Sequence, residues 1–264
     1  VRNWSVGDRL TNPHGRIPDD GPYRRYWGNM VEYAIVQDYD VMREMGLPRS
    51  AFVCGAARTI PREIDPPDAG VILSLAEAYS ALDNFGAQAA MDVLIYGDGP
   101  VGMALCSFLK LRGAAWIGCL GHHEDRLARI AGAGADLVAN SAGENLDELF
   151  GEHRFDLVID AVGSTRIIID AAPRLKPRGK VGIYGVIQSE DAVLDLLQIP
   201  NNVAIHKLCY PRGELDAHPK IVQMAIDETI RLKDFYSHVI PADDIQKGVE
   251  LIRSRQAFKV IVKM

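Results

Sequence analysis

From residue 93 onwards, uninterrupted apolar runs of strand length alternate with segments whose apolar residues recur at helical spacing. Such runs are typical of parallel strands that helices cover on both faces. We predict strands at 93–97, 115–121, 136–139, 155–162 and 180–185, helices at 100–112, 124–133, 144–151 and 164–173, and a sixth strand near 204–210. The alternation predicts an α/β fold with a doubly wound parallel sheet.

The first part of the chain has a different pattern. Short apolar stretches at 31–36 and 50–54 are separated by Gly, Pro and Asp, which predicts small strands and turns before a first helix at 67–82. Residues 10–30 are expected to form a long polar loop that either lines a site or covers a surface. The loop residues considered for a site are Arg24, Arg25, Tyr26 and Trp27.

The last part of the chain again contains short elements. We predict a helix at 219–233, a strand at 238–241, a helix at 243–253 with Asp243 as its cap, and a closing strand at 258–262. We therefore expect a second, mostly β domain built from both chain ends. The expected boundaries are 1–74 and 213–264 for this domain and 75–212 for the sheet domain.

Three glycines follow the first strand of the predicted sheet in the spacing G-x-G-x-x-G. Together with Pro100 and Val101 they join a buried strand to an amphipathic helix, which is the context in which this motif binds a dinucleotide. Gly97 permits the turn, Gly99 lets a pyrophosphate approach the backbone, and Gly102 lets the helix pack close to the strand. The helix N-terminus offers N–H groups and partial positive charge to the phosphates.

The second strand ends at Gly121, which His122, His123 and Arg126 follow. An Asp or Glu at this strand end would bind the ribose 2′-OH of NAD, whereas a glycine leaves room for the 2′-phosphate of NADP. The two histidines and the arginine can donate hydrogen bonds to that phosphate or neutralise it. We therefore predict a preference for NADP; the alternative is NAD, with Glu124 as the acidic residue.

Small residues follow the fourth and fifth strands, at the edge where ligands bind in sheets of this type. They would let an adenosine or nicotinamide ring lie against the backbone, although glycines at these positions are also typical of plain turns. The predicted contacts are Ala161, Val162, Gly163, Tyr184, Gly185 and Val186.

Composition narrows the classes of function. The chain of 264 residues is 48% hydrophobic and carries a net charge of −6, which argues against nucleic acid or an anionic membrane as the main partner. No apolar run reaches the roughly 20 residues of a membrane span, the N-terminus does not resemble a signal peptide, and the four scattered cysteines fit free thiols, so we expect a cytoplasmic protein. The motifs of α/β-hydrolases, P-loop proteins and zinc proteases are absent, and spacing identifies no catalytic acid or base.

Segments along most of the chain carry a resemblance to one family. They are Val6–Arg9, Gly28–Tyr33, Ile60 with Pro61, the glycine motif, Gly132–Asp136, Phe155–Gly163, Gly179–Gly182 and Leu251–Ser254. With these segments the chain resembles the medium-chain dehydrogenase/reductase superfamily of zinc-type alcohol and polyol dehydrogenases. The resemblance implies a Rossmann cofactor domain, a partial GroES-like β domain, a homodimer, and a role for Lys259 on the cofactor pyrophosphate.

The chain departs from this family at the metal site. By the resemblance, two zinc ligands and the proton relay belong to a segment before Val1, so we expect the chain to be incomplete at its N-terminus. The family's cysteine-rich zinc lobe is replaced by Thr11–Trp27, which contains no cysteine. The third catalytic ligand falls at Ile72 or Leu73, which cannot bind zinc, and Glu77 is the nearest carboxylate in the same helix. We therefore expect no metal.

Two functions remain open from the sequence. The first is an NADP-preferring oxidoreductase that transfers hydride between nicotinamide and a small alcohol, polyol or carbonyl compound without zinc. The second is a protein that binds the cofactor without turnover, as a sensor or a vestigial subunit. A domain for S-adenosylmethionine is disfavoured by the family matches after the fifth strand and at the C-terminus.

Overall fold

The structure, a computed structural model, describes residues 3–11, 36, 38–47, 57–208 and 213–264. It divides into two compact units, Ala78–Arg212 and the combination of Val1–Glu77 with Gly213–Met264. Among the described helices, none combines the length and apolarity that a membrane crossing would require.

Strands and helices alternate along the described residues. The strands are β1 (Arg9–Thr11), β2 (Arg58–Ile60), β3 (Asp92–Tyr96), β4 (Trp116–Gly121), β5 (Leu137–Asn140), β6 (Phe155–Asp160), β7 (Leu175–Ile183), β8 (Ala204–Lys207), β9 (His238–Pro241) and β10 (Val260–Lys263). The helices are α1 (Tyr39–Glu44), α2 (Pro66–Phe85), α3 (Pro100–Leu111), α4 (Glu124–Gly132), α5 (Leu146–Phe150), α6 (Thr165–Ala171), α7 (Glu214–Ile226) and α8 (Ile245–Arg253).

Six parallel strands form the sheet of the Ala78–Arg212 unit, in the order β5-β4-β3-β6-β7-β8. The predicted doubly wound sheet is therefore confirmed. Because β3 pairs with β4 on one side and with β6 on the other, the connections diverge from β3 and leave a crevice at its carboxyl end. The apolar runs that predicted the strands form the interior, and Leu94, Ile117 and Ile159 are completely buried.

The other unit contains shorter elements. β1 pairs antiparallel with β2, and β9 pairs parallel with β10. The helix α1 was not expected from the sequence. The predicted strand at 50–54, nearly all of the predicted strand at 31–36, and Arg24, Arg25, Tyr26 and Trp27 lie outside the described residues.

Helix α7 begins at Glu214, so the start predicted at Pro219 was wrong. Proline has no N–H to donate to the carbonyl four residues earlier, which belongs to Leu215. That carbonyl instead accepts a hydrogen bond of 3.3 Å from Nε of Arg58. The guanidinium supplies the missing donor, so the helix continues through the proline.

The cap predicted for helix α8 was also wrong. Residues Ala242–Asp244 form a turn of 3-10 helix, and α8 follows it directly. The N-cap residue is Asp244 rather than Asp243, and its side chain makes no capping hydrogen bond. The start of this helix is therefore set by the preceding turn, which continues into it.

His218, directly before the proline of α7, is buried in the unit that contains both chain ends, with 1% of its surface exposed. Its Nε2 lies 2.9 Å from Oγ1 of Thr11. Burial, and in second place the charge of Arg58, lower the pKa of His218 to about 4. The imidazole is therefore neutral in the folded protein near neutral pH.

Replacing His218 by Gln should make stability less sensitive to acid. An unfolded histidine titrates near its ordinary pKa of about 6.5, so below that pH the unfolded chain binds a proton that the folded chain does not. Above about pH 6.5, His218 has no effect of this kind on the free energy of unfolding. Between there and pH 4 it lowers the free energy of unfolding by about 3 kcal/mol in total, at about 1.4 kcal/mol per pH unit. Urea unfolding at a series of pH values measures this loss, which should be smaller in His218→Gln. The exposed His122 provides the control, since His122→Gln should behave as the wild type; equal losses in all three proteins would contradict the assignment.

Candidate functional site

In the turn between β3 and α3 the structure itself requires two of the three glycines, Gly97 and Gly102, but not Gly99. Gly97 has φ of +126°, a backbone conformation that side chains rarely allow. A Cβ on Gly102 would lie 1.9 Å from the carbonyl oxygen of Gly97, so only a glycine lets α3 approach the strand end this closely. Gly99 has an ordinary φ of −83°, and a Cβ there would find no atom within 4 Å.

The space beside Gly99 is open at the beginning of α3. Gly99 is the N-cap of this helix, which has no side-chain capping hydrogen bond, and Pro100 is at its first position. The first N–H groups of a helix lack partners within the helix and attract anions. This arrangement is suited to a phosphate that approaches the backbone.

The strand-end glycine at 121 is not surrounded by empty space. A Cβ on Gly121 would lie 2.4 Å from both Cβ and Oδ2 of Asp98, the residue between the first two glycines of the motif. The carboxylate of Asp98 therefore occupies the position that a strand-end side chain would take. A role for Asp98 was not predicted from the sequence, although an Asp inside the G-x-G turn combined with a glycine at the next strand end was a visible signal.

Asp98 is held in place by three hydrogen bonds to a single oxygen. Its Oδ2 accepts from the backbone N–H groups of His122 at 2.7 Å and His123 at 2.8 Å, and from Nδ1 of His123 at 2.9 Å. Burial alone would raise the pKa of Asp98, but these hydrogen bonds outweigh it and hold the pKa below the usual value. The carboxylate is therefore ionised at neutral pH and fixed beside the end of β4.

The other residues predicted around this strand end differ in their exposure and in their hydrogen bonds. The side chain of His122 is exposed, that of His123 turns to Asp98, and Arg126 is half-buried. Glu124 is exposed and accepts a long hydrogen bond of 3.4 Å from Asn140. The structure thus brings the predicted histidines to the carboxyl end of β4 and adds an acidic side chain between them and the glycine turn.

A second buried aspartate organises the loop after β6. The carboxylate of Asp160 accepts hydrogen bonds of 2.8–3.0 Å from the backbone N–H groups of Val162, Gly163 and Ser164. Asp160 is completely buried. Its side chain therefore fixes the first residues after the strand, a role that the sequence did not reveal.

The glycines after β6 and β7 are explained by contact between their two loops. A Cβ on Gly185 would lie 2.1 Å from the backbone nitrogen of Gly163, and one on Gly163 would lie 2.5 Å from the carbonyl oxygen of Val186. Gly163 also has φ of +96°. Close backbone packing therefore requires both residues whether or not a ligand binds.

Next to these glycines, apolar side chains face solvent. Val162 is 57% exposed and Val186 is 71% exposed, whereas Tyr184 is buried. The backbone N–H of Ala161 donates to the carbonyl of Tyr96, which continues the pairing of β6 with β3. Two exposed valines at the carboxyl edge of the sheet offer apolar cover to a planar ring.

Lys259, predicted to bind a phosphate, lies in the unit that contains both chain ends. Its Nζ donates a hydrogen bond of 2.7 Å to Oγ of Ser74 on α2. Burial lowers the pKa of Lys259, and the charge of Glu77 partly opposes this shift. A hydroxyl is the single described hydrogen-bond partner of this half-buried ammonium group, which leaves donors for an anion.

The position of the third catalytic zinc ligand does not suit a metal. Ile72 is completely buried in α2, and neither its side chain nor that of Leu73 has an atom that can coordinate zinc. Within the described parts of the chain, no group of three or more His, Cys, Asp or Glu residues is arranged to hold a metal ion. The residues at the position that the resemblance gives to this ligand therefore cannot coordinate zinc.

Comparison with known sequences gives one consistent class of protein. The sequence model of a family described as zinc-binding dehydrogenase matches residues 100–218. L-threonine 3-dehydrogenase of Anaeromyxobacter sp. (strain Fw109-5) is 26% identical over 175 residues, which are 65% of this chain and 50% of that protein. D-arabinitol dehydrogenase 1 of Uromyces fabae is 26% identical over 225 residues, which are 79% of this chain and 62% of that protein. The chain thus spans about half the length of the first of these relatives.

Solved structures share the fold. Alcohol dehydrogenase TADH from Thermus sp. ATN1 superposes with a TM-score of 0.69 at 22% identity, covering 82% of this chain and 65% of that one. A short chain alcohol dehydrogenase from E. coli CFT073, complexed with cofactor NADH, superposes with a TM-score of 0.71 at 20% identity, covering 79% of this chain and 62% of that one.

Gly102→Ala and Gly99→Ala should differ sharply in stability. The new methyl group at 102 meets a backbone oxygen and should cost at least about 2 kcal/mol of the free energy of unfolding, because helix and strand must separate. The methyl group at 99 enters open space with an ordinary φ and should change stability by less than about 0.5 kcal/mol. Urea unfolding of both variants measures the contrast. Equal destabilisation would show that the turn is not packed as described.

Proposed function

We propose that the chain, which matches the sequence model of the zinc-binding dehydrogenases over residues 100–218 and resembles the medium-chain dehydrogenase/reductase superfamily, is an oxidoreductase that transfers hydride between a nicotinamide dinucleotide and a small alcohol, polyol or carbonyl compound. The observation that carries the proposal is the open space beside Gly99 at the uncapped beginning of α3, within a G-x-G-x-x-G turn. The relatives named above are dehydrogenases of an amino acid and a polyol, which supports this substrate class.

The described residues bind and orient the cofactor. The backbone at Gly99 and the first N–H groups of α3 receive the pyrophosphate, helped by the partial positive charge of the helix end. Val162 and Val186 cover a ring at the carboxyl edge, on loops that Asp160 holds in place. Lys259 stays a predicted contact of a cofactor phosphate. The nicotinamide, when bound, supplies or accepts the hydride.

The choice between NADP and NAD depends on the end of β4. A preference for NADP is the prediction from the residue types at this strand end, Gly121, His122, His123 and Arg126. That prediction assumes free space beside Gly121, which the carboxylate of Asp98 occupies.

A second candidate is a protein that binds the cofactor without turnover, as a sensor or a vestigial subunit. It is favoured by the buried Ile72 at the position of a zinc ligand, since such a chain lacks one usual means of polarising a carbonyl. A zinc-independent reductase, in which a hydrogen-bond donor polarises the carbonyl, accounts for the same observation within the first candidate.

Binding and turnover assays with the full-length gene product separate these functions. The fluorescence of NADH and NADPH should report binding, and the absorbance of reduced nicotinamide should report hydride transfer across a panel of alcohols, polyols and carbonyl compounds. Gly99→Ala should weaken binding by about tenfold or more with unchanged stability, because its methyl group obstructs the pyrophosphate. Gly132→Ala, which adds a methyl group to an exposed and equally open position on α4, should bind normally.

Each outcome of these assays has one meaning. Binding together with turnover supports the oxidoreductase, and binding without turnover for any substrate class favours the second candidate. If neither nucleotide binds, or if both glycine variants bind as tightly as the wild type, the assignment of the glycine turn is wrong.

The partners proposed are a small-molecule substrate and a second copy of the chain. Strand β8 lies at one edge of the six-stranded sheet, where unpaired backbone groups can pair with another chain. The segment before it exposes Val193, Leu196 and Leu197, the last of which is 95% exposed. An edge strand beside exposed apolar side chains supports a homodimer.

Leu197→Asp should convert this dimer to a monomer, because a charge buried at the interface would lack a partner. Leu111→Asp, which changes an exposed leucine on α3, should leave the dimer intact. Sedimentation velocity measures the mass of each protein. A monomeric wild type, or a dimeric Leu197→Asp variant, would contradict the proposed interface.

A further inference from the structure

An acidic side chain lies at the end of β4, although the last residue of that strand, Gly121, has no side chain. A Cβ built on Gly121 falls within 2.6 Å of Cβ, Cγ and Oδ2 of Asp98. The Asp98 carboxylate therefore enters, from the glycine turn, the volume that an acidic strand-end residue would fill. In sheets of this type the adenosine ribose of a dinucleotide binds at that strand end.

One oxygen of this carboxylate is fixed and the other is available. All three described hydrogen bonds, from two backbone N–H groups and one imidazole, go to Oδ2. Asp98 is only 7% exposed, but Oδ1 has no hydrogen-bond partner among the described residues and is not one of their fully buried unpaired atoms, so it keeps some surface that a ligand can reach. The fixed oxygen prevents rotation, which holds Oδ1 ready to accept a hydrogen bond.

An ionised carboxylate in this position distinguishes the two cofactors. A ribose 2′-OH is a hydrogen-bond donor, which an ionised carboxylate accepts strongly. A 2′-phosphate is mostly the dianion at neutral pH, without a proton to donate, so a carboxylate repels it at close range. The same loop N–H groups that could have bound the phosphate, those of His122 and His123, already donate to Asp98.

We propose that Asp98 replaces the missing strand-end acid, accepts the adenosine ribose hydroxyl through Oδ1, and makes the chain select NAD over NADP. The inference rests on the proposed function, since it requires that a nicotinamide dinucleotide binds at the glycine turn. It reverses the preference that the glycine at 121 favours by itself, and it assigns specificity to a residue of the turn.

Glu124, the acidic residue considered from the sequence, is placed less favourably for this role. It lies in the first turn of α4 with an exposed side chain, where a carboxylate is favoured by the helix dipole alone. Its described partner is Asn140, in one long hydrogen bond of 3.4 Å. That single bond fixes its orientation less firmly than the three hydrogen bonds from His122 and His123 fix Asp98.

The test compares the affinities of the wild type and Asp98→Asn for NADH and NADPH by titration calorimetry. AMP and adenosine 2′,5′-bisphosphate serve as additional probes, because they report the adenosine end alone. The wild type should bind NADH and AMP more tightly than their 2′-phosphorylated counterparts. Asn keeps an acceptor for the loop N–H groups but removes the charge, so the NADH-to-NADPH affinity ratio should fall by about tenfold, which corresponds to about 1.4 kcal/mol.

Two control variants identify the residue responsible. Asp125→Asn removes a neighbouring exposed charge from α4 and should leave the ratio unchanged. Glu124→Gln should also leave it unchanged; a large fall in this variant, with none in Asp98→Asn, would assign the role to Glu124 instead. Tighter binding of NADPH by the wild type would overturn the inference while leaving the proposed function intact. Failure of all four nucleotides to bind would instead contradict the proposed function.

Moving the carboxylate from position 98 to position 121 tests whether an acidic group at this strand end selects NADH, and its readout is a restored preference and not a loss of binding. Asp98→Gly should lose the preference for NADH, and adding Gly121→Asp to that variant should restore it, since the obstructing Cβ of Asp98 is gone. Gly121→Asp alone should be destabilised by the contact with Asp98. Thermal unfolding checks that the double variant is folded, and a folded double variant without the restored preference would contradict the inference.

Discussion

Helix α3 packs so close to the turn after β3 that residue 102 has no room for a side chain. Because residue 102 has no Cβ, α3 begins directly against the carbonyl oxygen of Gly97. This contact directs the start of α3 towards the carboxyl end of β3, between the diverging connections of the sheet. The open space beside Gly99 exists because the chain turns so tightly at this point.

Two aspartates hold the loops around this turn, and they act by the same chemistry. Asp98 and Asp160 each accept three hydrogen bonds, largely from backbone N–H groups: Asp98 from the loop after β4, and Asp160 from the loop that directly follows it. Loops at a ligand-binding edge leave N–H groups without strand partners, and an ionised carboxylate satisfies several of them at once. The difference is that Asp160 uses both oxygens for the loop after β6, whereas Asp98 uses one.

The sequence was sufficient for the sheet and the glycine turn because both are encoded locally. Apolar runs such as 93–97 need no distant partner to indicate a buried strand, and the spacing of Gly97, Gly99 and Gly102 is itself the motif. The missed features depend on contacts between distant residues. Asp98 meets Gly121 only when two parallel strands pair, and no periodicity in the sequence records which side chain fills the space beside a glycine.

The guanidinium that replaces a helical donor in α7 makes two distant positions interdependent. Pro219 leaves the Leu215 carbonyl without its helical partner, and Arg58 satisfies that carbonyl. A lineage that lost the arginine first would leave a carbonyl unpaired inside the protein, whereas one that first lost the proline would restore the ordinary helical bond. Substitutions at these two sites are therefore interdependent, because the Leu215 carbonyl needs the arginine only while the proline is present.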